Sequence, residues 1–158
     1  MSLLRYFLMI FITLSMTSSL EAQSTLAKKD ITGTWQLYRV EKADGSEESE
    51  ILNPSYMYLE LKPGSRIKGP IWTGDSYGHY WGRYRFKDGI MVVKRVVTYY
   101  PDFMGKNGRE VDLYLSYLRA AYSCERQNDV LVINFKGSKY GLKKGKLFFK
   151  SFDPTTVK

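Results

Sequence analysis

"GHYWGRYRFKDGIMVVKRVVTYY", Gly78 to Tyr100, alternates ring and polar residues up to an Asp-Gly pair and then runs on in β-branched residues. Read as extended chain, its first arm sends Gly78, Tyr80, Gly82, Tyr84 and Phe86 one way and His79, Trp81, Arg83, Arg85 and Lys87 the other. Arg83, Arg85 and Lys87 are costly to bury, so their face belongs to solvent and the ring-and-glycine face to the core. Asp88-Gly89 joins the two arms as a tight hairpin, because this pair tolerates the positive φ angles that such a turn demands. Glycine opposite a ring supplies room and allows the bending that closes a sheet.

The same rhythm extends in both directions. "ITGTWQLYRV" (31–40) starts the domain, "KADGSEESE" is a polar loop, and "YMYLELK" (56–62) puts Met57, Leu59 and Leu61 on one face before the turn "KPGS". After a turn-rich loop from Pro101, residues 110–122 match two periods. Val111, Tyr114, Leu115, Leu118, Ala121 and Tyr122 fit a helix, whereas Val111, Leu113, Leu115 and Tyr117 fit a strand. Asn107 and Glu110, at capping-box spacing, favour a short helix here. "AYSCER", the turn "QND", "VLVINF", a Gly-rich loop and "KLFFKSF" complete the chain, with Leu147 and Phe149 facing inward. The predicted fold class is all-β: a small up-and-down antiparallel barrel of about eight strands with one short helix.

Two domain-level segments follow. Arg5 precedes an apolar run from Tyr6 to Met16, and small polar residues lead to Ala22, which is the order of a secretory signal. Residues 1–22 are therefore expected to be removed, leaving 23–158 as one exported, periplasmic or extracellular domain, with the apolar run too short to favour a membrane span. Cys124 is the sole cysteine of the chain, so no internal disulfide forms. The formal net charge of +8 draws anionic partners. For an exported monomer these are an anionic envelope surface, acidic polysaccharide or acidic proteins; nucleic acid is not expected.

A further likeness rests on particular residues. "GTWQLYRVEKADG", with Gly33 and Trp35 in a Gly-x-Trp pattern, is similar to the opening strand of lipocalins. The hairpins "GRYRFKDGIMVV" and "YSCERQNDVLVINF" and the closing "LFFKSF" resemble the small lipocalin-like domains of exported bacterial proteins. The resemblance implies a barrel floored by Gly33 and Trp35 and open at the other end, where a small apolar or amphipathic ligand enters.

Two readings of the inner rings remain. Tyr80 and Tyr84 fill the core, or their hydroxyls, which need partners once buried, meet a ligand near the mouth. On the second reading the ligand-binding set is Trp72, Tyr80, Tyr84, Phe86 and Tyr99. On the first, the protein is a structural or protein-interaction barrel of the cell envelope. A β-barrel enzyme is the least favoured class, and the expectation is that the protein is not an enzyme. Asp75 lies about 13 Å from His79 along a regular strand, too far for a catalytic pair. No nucleophile elbow occurs, and one His with one Cys makes a poor metal set, so no metal or cofactor is expected. Glu47, Glu48 and Glu50 read as a solvated loop, and the carboxy-terminal lysines as solvation and protection of strand edges.

Overall fold

Ten residues from Gly33 to Lys42 form β1, followed by β2 (Tyr58–Leu61), β3 (Arg66–Thr73), β4 (Ser76–Lys87) and β5 (Ile90–Tyr99). A helix crosses to β6 (Ala121–Gln127), β7 (Val130–Phe135) and β8 (Gly145–Ser151). The computed structural model describes residues 26–51, 56–73, 76–99, 106–137 and 143–153, with the side chains of 71–77 and 106–107 excepted. Every strand pairs antiparallel with its neighbour in sequence, and β1 pairs with β8, closing an eight-stranded up-and-down barrel. Among the described residues two short helices join it: α1 (Lys28–Ile31) before β1, and α2 (Lys106–Arg119) between β5 and β6.

The turns follow from local chemistry. Asp88 (φ 49°) and Gly89 (φ 76°) make the two-residue link between β4 and β5, and Asn128 (φ 54°) opens the equivalent link between β6 and β7. Inside the barrel, Met57, Leu59, Leu61, Leu147 and Phe149 are all buried, as their alternation predicts. β1 carries an extra residue between Leu37 and Arg39, so that Leu37 and Val40, three apart, both point inward.

The ambiguous segment resolves as helix up to Arg119, whereas Ala121 and Tyr122, which also fitted the helical period, open β6 instead. Val111, Tyr114, Leu115 and Leu118 are buried at helical spacing. The helix begins at Lys106, one residue ahead of Asn107, so the expected Asn107–Glu110 capping box is not its start. The strand alternative fails because β5 and β6 share just one registered pair, Ile90 with Ser123, supported by the Cys124 N–H on the Gly89 carbonyl. Beyond that pair α2 packs on β5 and β7 where further strand pairing would otherwise run. A helix satisfies its own backbone and needs no partner strand there.

Candidate functional site

The inner face of β4 is where the sequence points first. Gly78, Tyr80 and Tyr84 are buried and Phe86 is half-buried, while His79, Trp81, Arg83, Arg85 and Lys87 are exposed. Tyr80 reaches across β3 and donates its hydroxyl to the Tyr58 carbonyl on β2 at 2.6 Å. Its ring passes directly over Gly69, where a Cβ would sit 2.7 Å from the ring and 2.0 Å from the Tyr58 oxygen. The glycine that makes room for this tyrosine is thus on the neighbouring strand, in register with it. Since the single Tyr80 proton goes to Tyr58, the Tyr114 hydroxyl donates to Tyr80 across 2.9 Å.

Tyr114 decides what the lumen holds. It projects from α2, is fully buried, and sets its ring edge-on to Tyr80 of β4 and to Phe149 of β8, with centroids 6.0 and 6.5 Å apart. β4 and β8 stand on opposite walls of an eight-stranded barrel, so one ring touching both occupies the space between them. Burial raises its phenol pKa well above the ordinary value of 10, against the lowering effect of the Tyr80 bond. The hydroxyl stays protonated.

Among the described residues, side chains pack at both ends. At the mouth, Tyr117 of α2 stacks on Phe135 and donates to Glu48 Oε2 at 2.6 Å, and Arg109 meets Glu50 at 2.9 Å. Glu48 therefore does more than solvate its loop. Burial pushes its pKa up, but the bonds from Tyr117 and the Glu50 amide, with Lys42 nearby, outweigh this and hold it below the usual value. At the floor, Trp35 is 2% exposed, donates its indole N–H to the Ile31 carbonyl at 2.9 Å, and lies under the Arg126 guanidinium. Arg126 also donates to the Asp30 carbonyl, tying α1 down over the indole. Gly33, at φ 146°, precedes it in a backbone conformation that side chains rarely adopt.

Three of the five proposed ligand contacts do not meet at a mouth. Tyr84 lies at the floor end, where its hydroxyl donates to the Lys62 carbonyl at 3.1 Å and Lys28 of α1 sits over its ring. Phe86, two residues further, packs at the same end. Tyr99 is 56% exposed on the outside, its ring against His79. Tyr99 is turned outward by an extra residue in β5: Tyr84 faces Val93 but Arg83 faces Arg95, so Lys94 is inserted and every later β5 side chain changes face. Trp72 lies on β3, its side chain outside the described residues; residues 1–22 and Asp75 are outside them altogether. Cys124 is a buried free thiol, its pKa pushed up to about 12 by burial and by Glu125. Among the described residues no three His, Cys, Asp or Glu side chains gather as a metal set.

The outer face holds what the sequence did not reveal. Register sets Arg66, Arg83 and Arg95 side by side across β3, β4 and β5, with the inserted Lys94 next to them. A groove of about 1000 Å³ runs over this row and past Trp81. Trp81, His79 and Tyr99 continue it as a ladder of rings whose centroids are 5.4 Å apart at each step. Alternation alone identifies each arginine as outward, but their alignment requires the strand register.

No protein-family model and no curated protein sequence matches the chain. Among solved structures, a protein from Burkholderia xenovorans superposes with a TM-score of 0.54 at 18% identity, covering 80% of this chain and 86% of the other. A DUF4847 family protein from Bacteroides vulgatus superposes with a TM-score of 0.52 at 15% identity, covering 77% of this chain and 95% of the other. The likeness is one of fold.

Proposed function

We propose that this protein is a non-enzymatic, exported, monomeric interaction domain of the cell envelope, lipocalin-like in architecture but with a filled lumen, so that its outer surface is what meets a partner. The observation that carries this reading is the Tyr114 ring, inserted from α2 between β4 and β8 and bonded to Tyr80. A carrier of small apolar molecules needs an apolar cavity of roughly 300 Å³ or more with a few polar groups free to orient the cargo. Here the hydroxyls of Tyr80 and Tyr84 donate to backbone carbonyls of the wall, which supports the filled-lumen reading over the ligand-binding one.

The lipocalin-like aspect is supported by Trp35, which plugs the floor as the Gly-x-Trp resemblance implies. Export rests on the signal-like first 22 residues, and amino-terminal sequencing of envelope material should give Gln23 or a close neighbour. Native mass spectrometry of the protein purified from its own envelope tests the filled lumen. The expected spectrum contains the bare chain; a retained lipid- or porphyrin-sized adduct lost on unfolding would restore the carrier reading.

A further inference from the structure

Like charges directly opposite one another on adjacent strands destabilise a sheet. Arg66, Arg83 and Arg95 nonetheless form an unbroken cross-strand row, each about 4.8 Å from the next in the pairing direction. The insertion in β5 adds a fourth cation, because Lys94 and Arg95 are both exposed where a regular strand would turn one of them inward. Among the described residues no carboxylate forms a salt bridge with any of these four; Glu60 is engaged by Lys62 and Lys68 at the edge of the same groove. The groove is lined between these side chains by the sheet at Gly82, whose place on the inward-facing parity leaves no side chain on the outer face. Beside the row stands Trp81, 44% exposed.

We propose that this groove on β3–β5 binds an acidic polysaccharide, its carboxylate or sulfate groups on the Arg66–Arg83–Arg95 row with Lys94, and a sugar ring on the indole of Trp81. The inference rests on the reading that the outer surface is the working one. Guanidinium forks match planar oxyanions in two-bond geometry and are more weakly hydrated than ammonium groups, which suits a row that must shed water to bind. The flat apolar face of an indole suits the C–H face of a pyranose, while the N–H remains available to a hydroxyl. A second recess over Pro70, His79 and Trp81 adjoins the first, so that a chain longer than one sugar finds continuous surface.

Other anionic partners fit less well. A bilayer presents its charges as a plane, and the row lies in a recess instead of on a protruding apolar edge. Single-stranded nucleic acid stacks successive bases on successive rings. Here His79 already lies between Trp81 and Tyr99 at 5.4 Å from each, which leaves no gap for a base between them. Charge steering from the whole chain, at +8, would assist any of these partners and so does not discriminate.

The test is a fluorescence titration, through Trp81 and the other indoles, of full mature protein with a polyuronate and with a heparin-type sulfated polysaccharide. Vesicles containing phosphatidylglycerol and an oligothymidylate serve as the competing classes. Isothermal titration reads the same affinities for the variant lacking Trp81. Arg83→Ala and Arg95→Ala are each expected to weaken polysaccharide binding about tenfold, the scale of one charge-assisted hydrogen bond, and to flatten its salt dependence. Trp81→Ala should weaken it several-fold with the salt dependence unchanged. Lys150→Ala, an equal charge loss on the opposite wall, should change it less than about twofold, as expected for a distant exposed charge.

Equal losses from Lys150→Ala and Arg83→Ala would reduce the effect to net charge and overturn the site. Tighter binding of the vesicles or the oligothymidylate than of either polysaccharide would overturn the assigned partner while leaving the filled lumen intact. Competition by a fatty acid would locate binding in the lumen and overturn both this proposal and the reading beneath it. Circular dichroism melts of each variant confirm folding, since all four side chains are exposed.

Discussion

On the proposed filled-lumen reading, replacing Tyr114 by alanine should open a void inside the barrel. The ring is fully buried against Tyr80 and Phe149, and Val111, Leu115 and Leu118 anchor α2 on either side of it. The helix therefore has little freedom to sink into the space. A void on the order of 100 Å³ at about 24 cal/mol per Å³ contributes roughly 2.4 kcal/mol, and the lost transfer of the ring brings the total to about 3–5 kcal/mol. No orphaned hydroxyl adds to this, because Tyr80 keeps the Tyr58 carbonyl. Tyr114→Phe removes one hydrogen bond and no packing, so it should cost only about 0.5–1.5 kcal/mol. Urea unfolding supplies both numbers, and titration with benzene or indole supplies the second consequence, since dry apolar cavities of this kind accept such molecules. The alanine variant should bind where the parent does not. A loss below about 1 kcal/mol, or equal binding by parent and variant, would refute the argument that Tyr114 fills the lumen.

Trp35→Ala should cost about 3–5 kcal/mol in the same urea assay, as expected of a large buried ring; a cost under about 1 kcal/mol would remove Trp35 from the floor. Gly82→Ala places a methyl 1.8 Å from the Arg95 carbonyl, and relieving that overlap should cost roughly 1–3 kcal/mol or more. An unchanged melting temperature would show that β5 does not approach β4 this closely. Glu48→Gln should cost about 1 kcal/mol at neutral pH through the weakened Tyr117 bond. Because folding depresses the Glu48 pKa, its stabilisation is present above the unfolded value near 4.5 and is lost as pH falls through the folded value. Acid titrations of stability should accordingly be steeper for the parent than for the variant, and identical acid limbs would contradict the depressed pKa.

The barrel was legible because its strands obey local rules. Alternation in Tyr56–Lys62 and Gly78–Lys87, and positive-φ residues at Asp88-Gly89, act within a few residues of one another. What was not legible depended on insertion and closure. One added residue at Lys94 reverses the face of Tyr99, and alternation cannot see where a pair of strands accepts such an insertion. The contents of the lumen were equally hidden. Tyr114 meets Tyr80 from 34 residues away, through a helix that periodicity left ambiguous with a strand. α1 carried too few residues for any period to emerge, yet it supplies the carbonyl that orients Trp35. The alignment of the arginines depends on two independent registers, β3 with β4 and β4 with β5.

β2 has four residues and shares only two registered pairs with β3, which by backbone bonding alone would make it the easiest strand to detach. Tyr80 and Tyr84 change that, because both throw a hydroxyl from β4 over the intervening strand onto carbonyls at either end of β2, Tyr58 and Lys62. They act as spokes that bind a rim segment to a strand two places away. Opening β2 by itself would break both spokes and strip the cover from Tyr80, so the energetically coherent event is for β2, β3 and β4 to come apart together. In hydrogen exchange, the Leu59 and Leu61 amides would then share the opening free energy of the long strand β4 in place of the fraying expected of a four-residue strand. The tyrosine hydroxyls that looked like ligand contacts in the sequence thus set the size of the unit that unfolds.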